Sequence, residues 1–399
     1  MTLQPKRLLS IDVFRAINMF FMIFVNDLSG VRHVPKWIDH VKGYEDGMHF
    51  ADTIFPLFLF IAGLSIPLAI GRRLEKGNSF KSIAVYILLR SFALIIMGFF
   101  HVNMEDYSKQ ALLPLPVWEL LLTISFFLIW LDYPDTLART KRYLLMGSGI
   151  AILIVLGLLY KGNAGGGGTR WLEPSWWGIL GLIGWAYLIC SGAYLLAKGN
   201  FAALVTALLL LVLINLISHG NTYLLFRDRI YKLSIWVIKD GSCAALMMFG
   251  VIVSMLYSRI IVNGGYKRLW SAFTMFGVAL ICIGFFVRPY TQGISKIHST
   301  PAWIFICTGI GILVFELIIF LVDVKGKAEW FKIIKPAGTS TLTCYLIPYL
   351  LVALMSLVHF NYPRFLNEGV GGIFRSFAIS FIVIFITAVL EKKRLRLKI

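Results

Sequence analysis

The sequence predicts an all-α, polytopic membrane bundle of about twelve transmembrane helices. Three observations carry this. Apolar residues make up 58% of the 399 and charged residues only 15%, with mean hydropathy +0.80, whereas soluble domains run near 45–50% and about 25%. Twelve apolar runs, each near the length a bilayer requires, fall at 9–28, 52–71, 82–100, 112–131, 143–160, 175–197, 201–218, 236–257, 269–287, 302–322, 337–358 and 373–390. The loops between them divide Lys and Arg unequally, 22 on the side of the termini against 12 on the other. By the positive-inside rule both termini are therefore expected to be cytoplasmic. The 15% aromatic content excludes a disordered chain.

Net charge is +18. In a soluble protein this would suggest nucleic acid, but here the loop bias accounts for it and no nucleic-acid partner is expected. Cys190, Cys243, Cys282, Cys307 and Cys344 all sit in apolar runs, giving neither a disulfide framework nor a zinc site. The first run carries Asp12 and Arg15 and lacks an A-x-A-like site, so a cleavable signal peptide is not expected. No internal repeat is evident, which counts against a transporter of duplicated halves. The Gly165–Gly168 run reads as a flexible outer loop.

The first helix is polar along one face: Asp12, Arg15, Asn18, Met22 and Asn26 follow at helical spacing. Arg90, Glu119 and Glu316 lie within later spans, Lys239 and Asp240 open the eighth, and Asp52 opens the second. An ionisable group at bilayer depth costs roughly 2.5–3.5 kcal/mol and usually faces a partner or a cavity. All seven histidines (His33, His40, His49, His101, His219, His298 and His359) fall in or beside loops on the non-cytoplasmic side. Histidine titrates near neutral pH, so acid–base chemistry is expected at the outer face. The outer connection 29–51, dense in polar groups, is the first place to look. A His33/His40/Asp52 metal site lacks a recognised spacing, and no metal is expected. Lys296, His298 and the tryptophans Trp171, Trp176, Trp177 and Trp303 are candidates for sugar contacts or for an interfacial belt.

The strings Arg7–Arg15 (RLLSIDVFR), Met22–Asn26 (MIFVN), His33–Trp37 (HVPKW) and Ala51–Ile66 (ADTIFPLFLFIAGLSI) resemble the heparan-α-glucosaminide N-acetyltransferase family of transmembrane acyltransferases, in its bacterial branch. The likeness covers about 7–100, with weaker echoes at Arg90–Phe92 and Asp323–Gly326. It implies a single transmembrane acyltransferase-like domain over 1–399, in which the pair of helices within 175–218 is an addition. It further implies a plasma-membrane enzyme that moves an acetyl group from cytoplasmic acetyl-CoA to an amino sugar or glycan on the extracytoplasmic side. The family's catalytic histidine and the asparagine before it map onto His33 and Asn26, with His40 as the alternative histidine, and its second-helix acid maps onto Asp52. Asp12, Arg15, Asn18, Asp52, Arg90 and Glu119 are then expected to line a polar path, with Arg72, Arg73, Lys141 and Arg142 facing the CoA phosphates. A homodimer is a further expectation. The chain departs from the family at Ala16, where it has a glycine, and at Val117–Glu119, where a Leu-Gln-Arg motif stood. A secondary transporter or flippase is the competing class, favoured by the helix count and the buried charges.

Overall fold

A computed structural model describes residues 8–220 and 240–399. Among these the twelve expected helices all form, and the protein is an integral membrane helix bundle. Ten are long and apolar enough to cross a bilayer: α1 (Leu9–Leu28), α2 (Phe50–Glu75), α3 (Phe80–Val102), α5 (Arg139–Leu159), α6 (Gly178–Leu196), α7 (Phe201–His219), α8 (Ser242–Val262), α9 (Gly265–Tyr290), α10 (Pro301–Val324) and α13 (Gly369–Lys392). Two are shorter, α4 (Leu115–Trp130) and α12 (Thr341–Leu357), and the one-turn α11 (Lys335–Thr339) precedes the latter. Lys239 lies outside the described residues.

Two local features depart from the hydropathy pattern. Where the apolar runs leave a connection at 258–268, α8 and α9 instead meet at one break, Gly265, with φ 64° and ψ −169°. That conformation is essentially restricted to glycine, so one residue does the work of a loop. The Gly165–Gly168 run, expected to be flexible, is the turn of a small hairpin. Its strands, β1 (Gly162–Asn163) and β2 (Thr169–Arg170), pair antiparallel with Gly162 opposite Arg170.

The helices gather into two compact units. The first comprises described residues up to Asn18, Val34–Ser91 and Trp185–Ile333. Its core is formed by Leu59, Phe60 and Leu64 of α2, Leu246 and Met247 of α8, and Ile312 and Phe315 of α10, all fully buried. Phe14 stacks on Phe315 at 6.1 Å. Helices α2 and α8 cross backbone to backbone: a Cβ on Gly63 would overlap the Met247 carbonyl oxygen, and one on Gly250 the Phe60 carbonyl oxygen. Lipid gives helices no hydrophobic drive to associate, so close approach through small residues supplies the packing.

The second unit comprises Met19–His33, Phe92–Gly184 and Ile334–Ile399. Trp118, Leu122 and Phe126 of α4 are fully buried, and the Trp118 indole donates to the Leu156 carbonyl at 3.2 Å. The C-terminal segment is strapped down by Arg396 and Lys398, both on Asp132 at 3.1 and 3.0 Å. Asp27 of α1 binds the buried Arg375 of α13 at 3.0 Å and accepts from Ser376. Arg375 also donates to Asn367.

Replacing Gly63 by alanine should lower the unfolding temperature of the detergent-solubilised protein, at a cost of about 2 kcal/mol from overpacking. Gly71→Ala, on the same helix with open space at its Cβ, should be neutral or stabilising, because alanine is the better helix former. Tryptophan-fluorescence melts of both variants test this.

Candidate active site

The site is built around the first turn of α2, in the first unit. Asp52 is 2% exposed, and its carboxylate is fully engaged. One oxygen lies 2.7 Å from His40 Nδ1. The other accepts the backbone N–H groups of Val41 at 3.0 Å and His49 at 3.1 Å. The His49 bond is the reverse half of a capping box, and the helix N-terminus itself favours a negative charge there. An ionised carboxylate only accepts hydrogen bonds, so His40 Nδ1 carries a proton, and in the neutral ring it is Nε2 that holds the lone pair. This fixed tautomer is what a general base requires. His40 is partly exposed while its partner is buried, the side chains being 35% and 3% accessible.

A second wall comes from the connection between α9 and α10. Lys296 places Nζ 3.3 Å from His40 Nδ1. Burial pushes the Lys296 ammonium below its ordinary range, and the Asp52 carboxylate opposes that shift. The connection is fastened to the loop preceding α2 at several points. Asp46 accepts the Ile294 amide at 2.7 Å and the Arg288 guanidinium at 3.0 Å. The Gly47 amide donates to the Ile294 carbonyl at 3.0 Å. His298 Nε2 meets the Gly43 carbonyl at 3.1 Å. Behind it, His219 at the end of α7 bonds the His298 carbonyl at 2.7 Å, and Asn215 donates to Ser299 at 3.1 Å. Gly293 sits at φ 77°, and a Cβ there would come within 2.6 Å of the Asp46 carboxyl. Only glycine serves both demands.

The remaining expected residues fall as follows. Asn18, 2% exposed, donates to the Ile54 carbonyl of α2 at 3.1 Å. Arg15 pairs with Asp12 at 3.2 Å and donates to Ser65 at 2.6 Å. Asn18 and Arg15 therefore face α2. Arg73 and Arg90 meet on one ring: the Arg73 guanidinium stacks 3.6 Å from the Tyr86 centroid, and Arg90 donates to the Tyr86 hydroxyl at 3.3 Å. Arg72 neighbours them in the last turn of α2. In the second unit, Asn26 and His33 are exposed. His33 adopts φ 56°, and its side chain makes no hydrogen bond among the described residues. Glu119 is buried on α4, and Lys141 and Arg142 are exposed in the first turn of α5. Trp303, a candidate sugar contact by sequence, is instead 1% exposed and donates to the Asp52 carbonyl at 3.1 Å. It is a core strut. Asp46, Arg288 and Gly293 were not singled out by sequence, since their roles rest on pairings across 242 or more residues. Among the described residues, no three His, Cys, Asp or Glu side chains gather as a metal-ligand set.

Residues 7–103 match the family model described as heparan-alpha-glucosaminide N-acetyltransferase, catalytic. That stretch contains His40, Asp52, Arg73 and Arg90. Residues 7–103 are thus similar to this family, over about a quarter of the chain. Two relatives agree. The heparan-alpha-glucosaminide N-acetyltransferase of Homo sapiens is 38% identical over 99 residues, and that of Mus musculus 36% over 100. Each match covers 25% of this chain and 14% of the relative's length. The α9–α10 connection that supplies Lys296 lies beyond the matched segment.

The Asp46–Arg288 pair is exposed on both sides, and such pairs are worth about 1 kcal/mol or less. The bond to the Ile294 amide is the stronger tie, so Asp46→Asn, which keeps an acceptor oxygen, should leave the loops docked. Asp46→Ala should speed amide hydrogen exchange over 291–300 by about tenfold or more, with α2 and α10 unchanged. Exchange mass spectrometry of the two variants distinguishes these outcomes.

Proposed function

We propose that this chain is a transmembrane acetyltransferase of the plasma membrane, taking acetyl from acetyl-CoA on the cytoplasmic side and giving it to an amino sugar or glycan outside. The observation that carries the reading is the His40–Asp52 pair lying inside the family-matched segment. In this reading His40 Nε2 takes the proton from the acceptor amine as its nitrogen attacks the thioester carbonyl. The C–N bond forms, the C–S bond breaks, and coenzyme A departs as the thiolate. Asp52 fixes the ring and stabilises the imidazolium as it forms.

The layout of α2 supports a two-sided reaction. Asp52 stands in its first turn and Arg72 and Arg73 in its last, about 30 Å apart at ~1.5 Å per residue. With the termini cytoplasmic by the positive-inside rule, the cations meet CoA phosphates on one face and the histidine meets the acceptor on the other. His40 is preferred to His33 because a base needs an orienting partner, and His40 has one at 2.7 Å.

His40→Gln should reduce acetyl transfer to a glucosamine-type acceptor by about 10²–10⁴-fold, while acetyl-CoA still raises the melting temperature of the purified protein. His33→Gln should change the rate only a few-fold. Full loss in His33→Gln with His40→Gln active would assign the base to His33. No stabilisation by acetyl-CoA or CoA, in a protein that unfolds cooperatively, would move the reading to a transporter.

A further inference from the structure

We infer that Lys296 holds His40 in its neutral form, so that a cation contributed by the α9–α10 connection sets the pH range over which the histidine can act as a base. The inference rests on His40 being the base proposed above, but its direct test does not. Lys296 Nζ is 3.3 Å from the ring, on the side already occupied by Asp52. Since Nδ1 donates to Asp52, the ammonium forms no ordinary hydrogen bond with that nitrogen. Its effect on the ring is electrostatic.

Two opposed charges therefore act on His40. The Asp52 carboxylate at 2.7 Å favours the imidazolium, and a carboxylate so close ordinarily moves a neighbour's titration by one to three units. That charge works against the lone pair on Nε2 that the reaction needs. The Lys296 ammonium penalises the same imidazolium and offsets the carboxylate. The other titratable and charged groups around the ring are accounted for. Asp39 is spent on the His40 amide at 2.8 Å. Lys42 and Glu45 are on the same loop, His49 leads into α2 and gives its amide to Asp52, and His298 is bonded to Gly43. From α10, Cys307 is buried and as a thiol brings no formal charge to the ring. Lys296 is the cation in contact with the ring among the described residues.

The arrangement also makes sense of where Lys296 comes from. A lysine placed only to neutralise Asp52 would sit on the carboxylate oxygens. Here Oδ1 takes His40 and Oδ2 takes the Val41 and His49 amides, and the ammonium stands 3.3 Å from the imidazole.

The test is the pH dependence of His40 modification by diethyl pyrocarbonate, read by peptide mass spectrometry on the full-length protein in detergent, with the His359 peptide as internal reference. Only the neutral ring reacts. In Lys296→Gln and Lys296→Met the midpoint for His40 should rise by about one pH unit, so that modification on the acid side is about tenfold slower than in the unsubstituted protein. Lys296→Arg should restore the original midpoint. The acid limb of kcat/KM for acetyl transfer should move with it. A midpoint unmoved or lowered in either neutral variant, with its cooperative melt preserved, overturns the inference and leaves Lys296 a counter-charge to Asp52. Loss of the melt in Lys296→Met leaves Lys296→Gln to decide. Should His40→Gln retain transfer activity, the base assignment falls, and the modification midpoint then reports on Lys296 independently.

Discussion

A carboxylate with 2% of its surface exposed, at the head of a membrane-crossing helix, is the constraint that organises the first unit. An unpaired buried charge costs several kcal/mol, so every neighbour of Asp52 is placed to meet that cost. Its oxygens take three hydrogen bonds, and the helix dipole contributes about 0.3–1 kcal/mol more. The Lys296 ammonium stands close by. Meeting the charge also shapes the chain. The segment from His40 to His49 must curl over the helix start so that Val41 and His49 can both present their amides. The Asp52 backbone carbonyl anchors Trp303, and through it the first turn of α10. Two loops and two helices are thus tied to one residue.

The rest of α2 is organised to keep that residue still. Within a bilayer, buried polar groups must find partners inside the protein. On the α1 side, Asn18 is consumed by the Ile54 carbonyl and Arg15 by Asp12 and Ser65. On the α8 side, Gly63 and Gly250 bring the backbones together without intervening side chains. At the far end, Arg73 and Arg90 converge on Tyr86. Side chains carried on such a helix are positioned more precisely than side chains on a loop. Asp52 belongs to the helix, while His40 belongs to the loop and is held by the bond between them.

Hydropathy is a sum over neighbours in sequence, which is why all twelve apolar helices are legible in it. The break at Gly265 was less legible, since a positive φ leaves no mark on an apolar average. Asp52 and His40 could be singled out as candidates, being twelve residues apart in one loop and one helix start. Their contact with Lys296, 256 residues away, could not, because nothing in a single sequence records which distant loop covers which. The same reason explains Trp303. An outer tryptophan beside a helix start is compatible with a sugar contact, an interfacial belt or a buried strut, and only its burial and its bond to Asp52 choose among them.

The family-matched segment ends at residue 103, and the boundary falls through the middle of this site's surroundings. The His40–Asp52 pair and the helix that carries Asp52 lie inside. Lys296, His298, Arg288, Gly293 and Trp303, which close over that pair, lie outside. Divergence is tolerated in loops because they run over surfaces and carry few packing constraints. It is less easily tolerated at a buried carboxylate, where losing one partner leaves a charge unmet. The geometry is consistent with this division. What the proposed acid–base chemistry requires is contained in one loop and one helix turn, and the Lys296 charge arrives on a separate connection fastened through the Asp46 carboxylate and the backbone of Gly43 and Gly47. A change in the α9–α10 connection can therefore alter the electrostatics at His40 without dismantling the bond to Asp52.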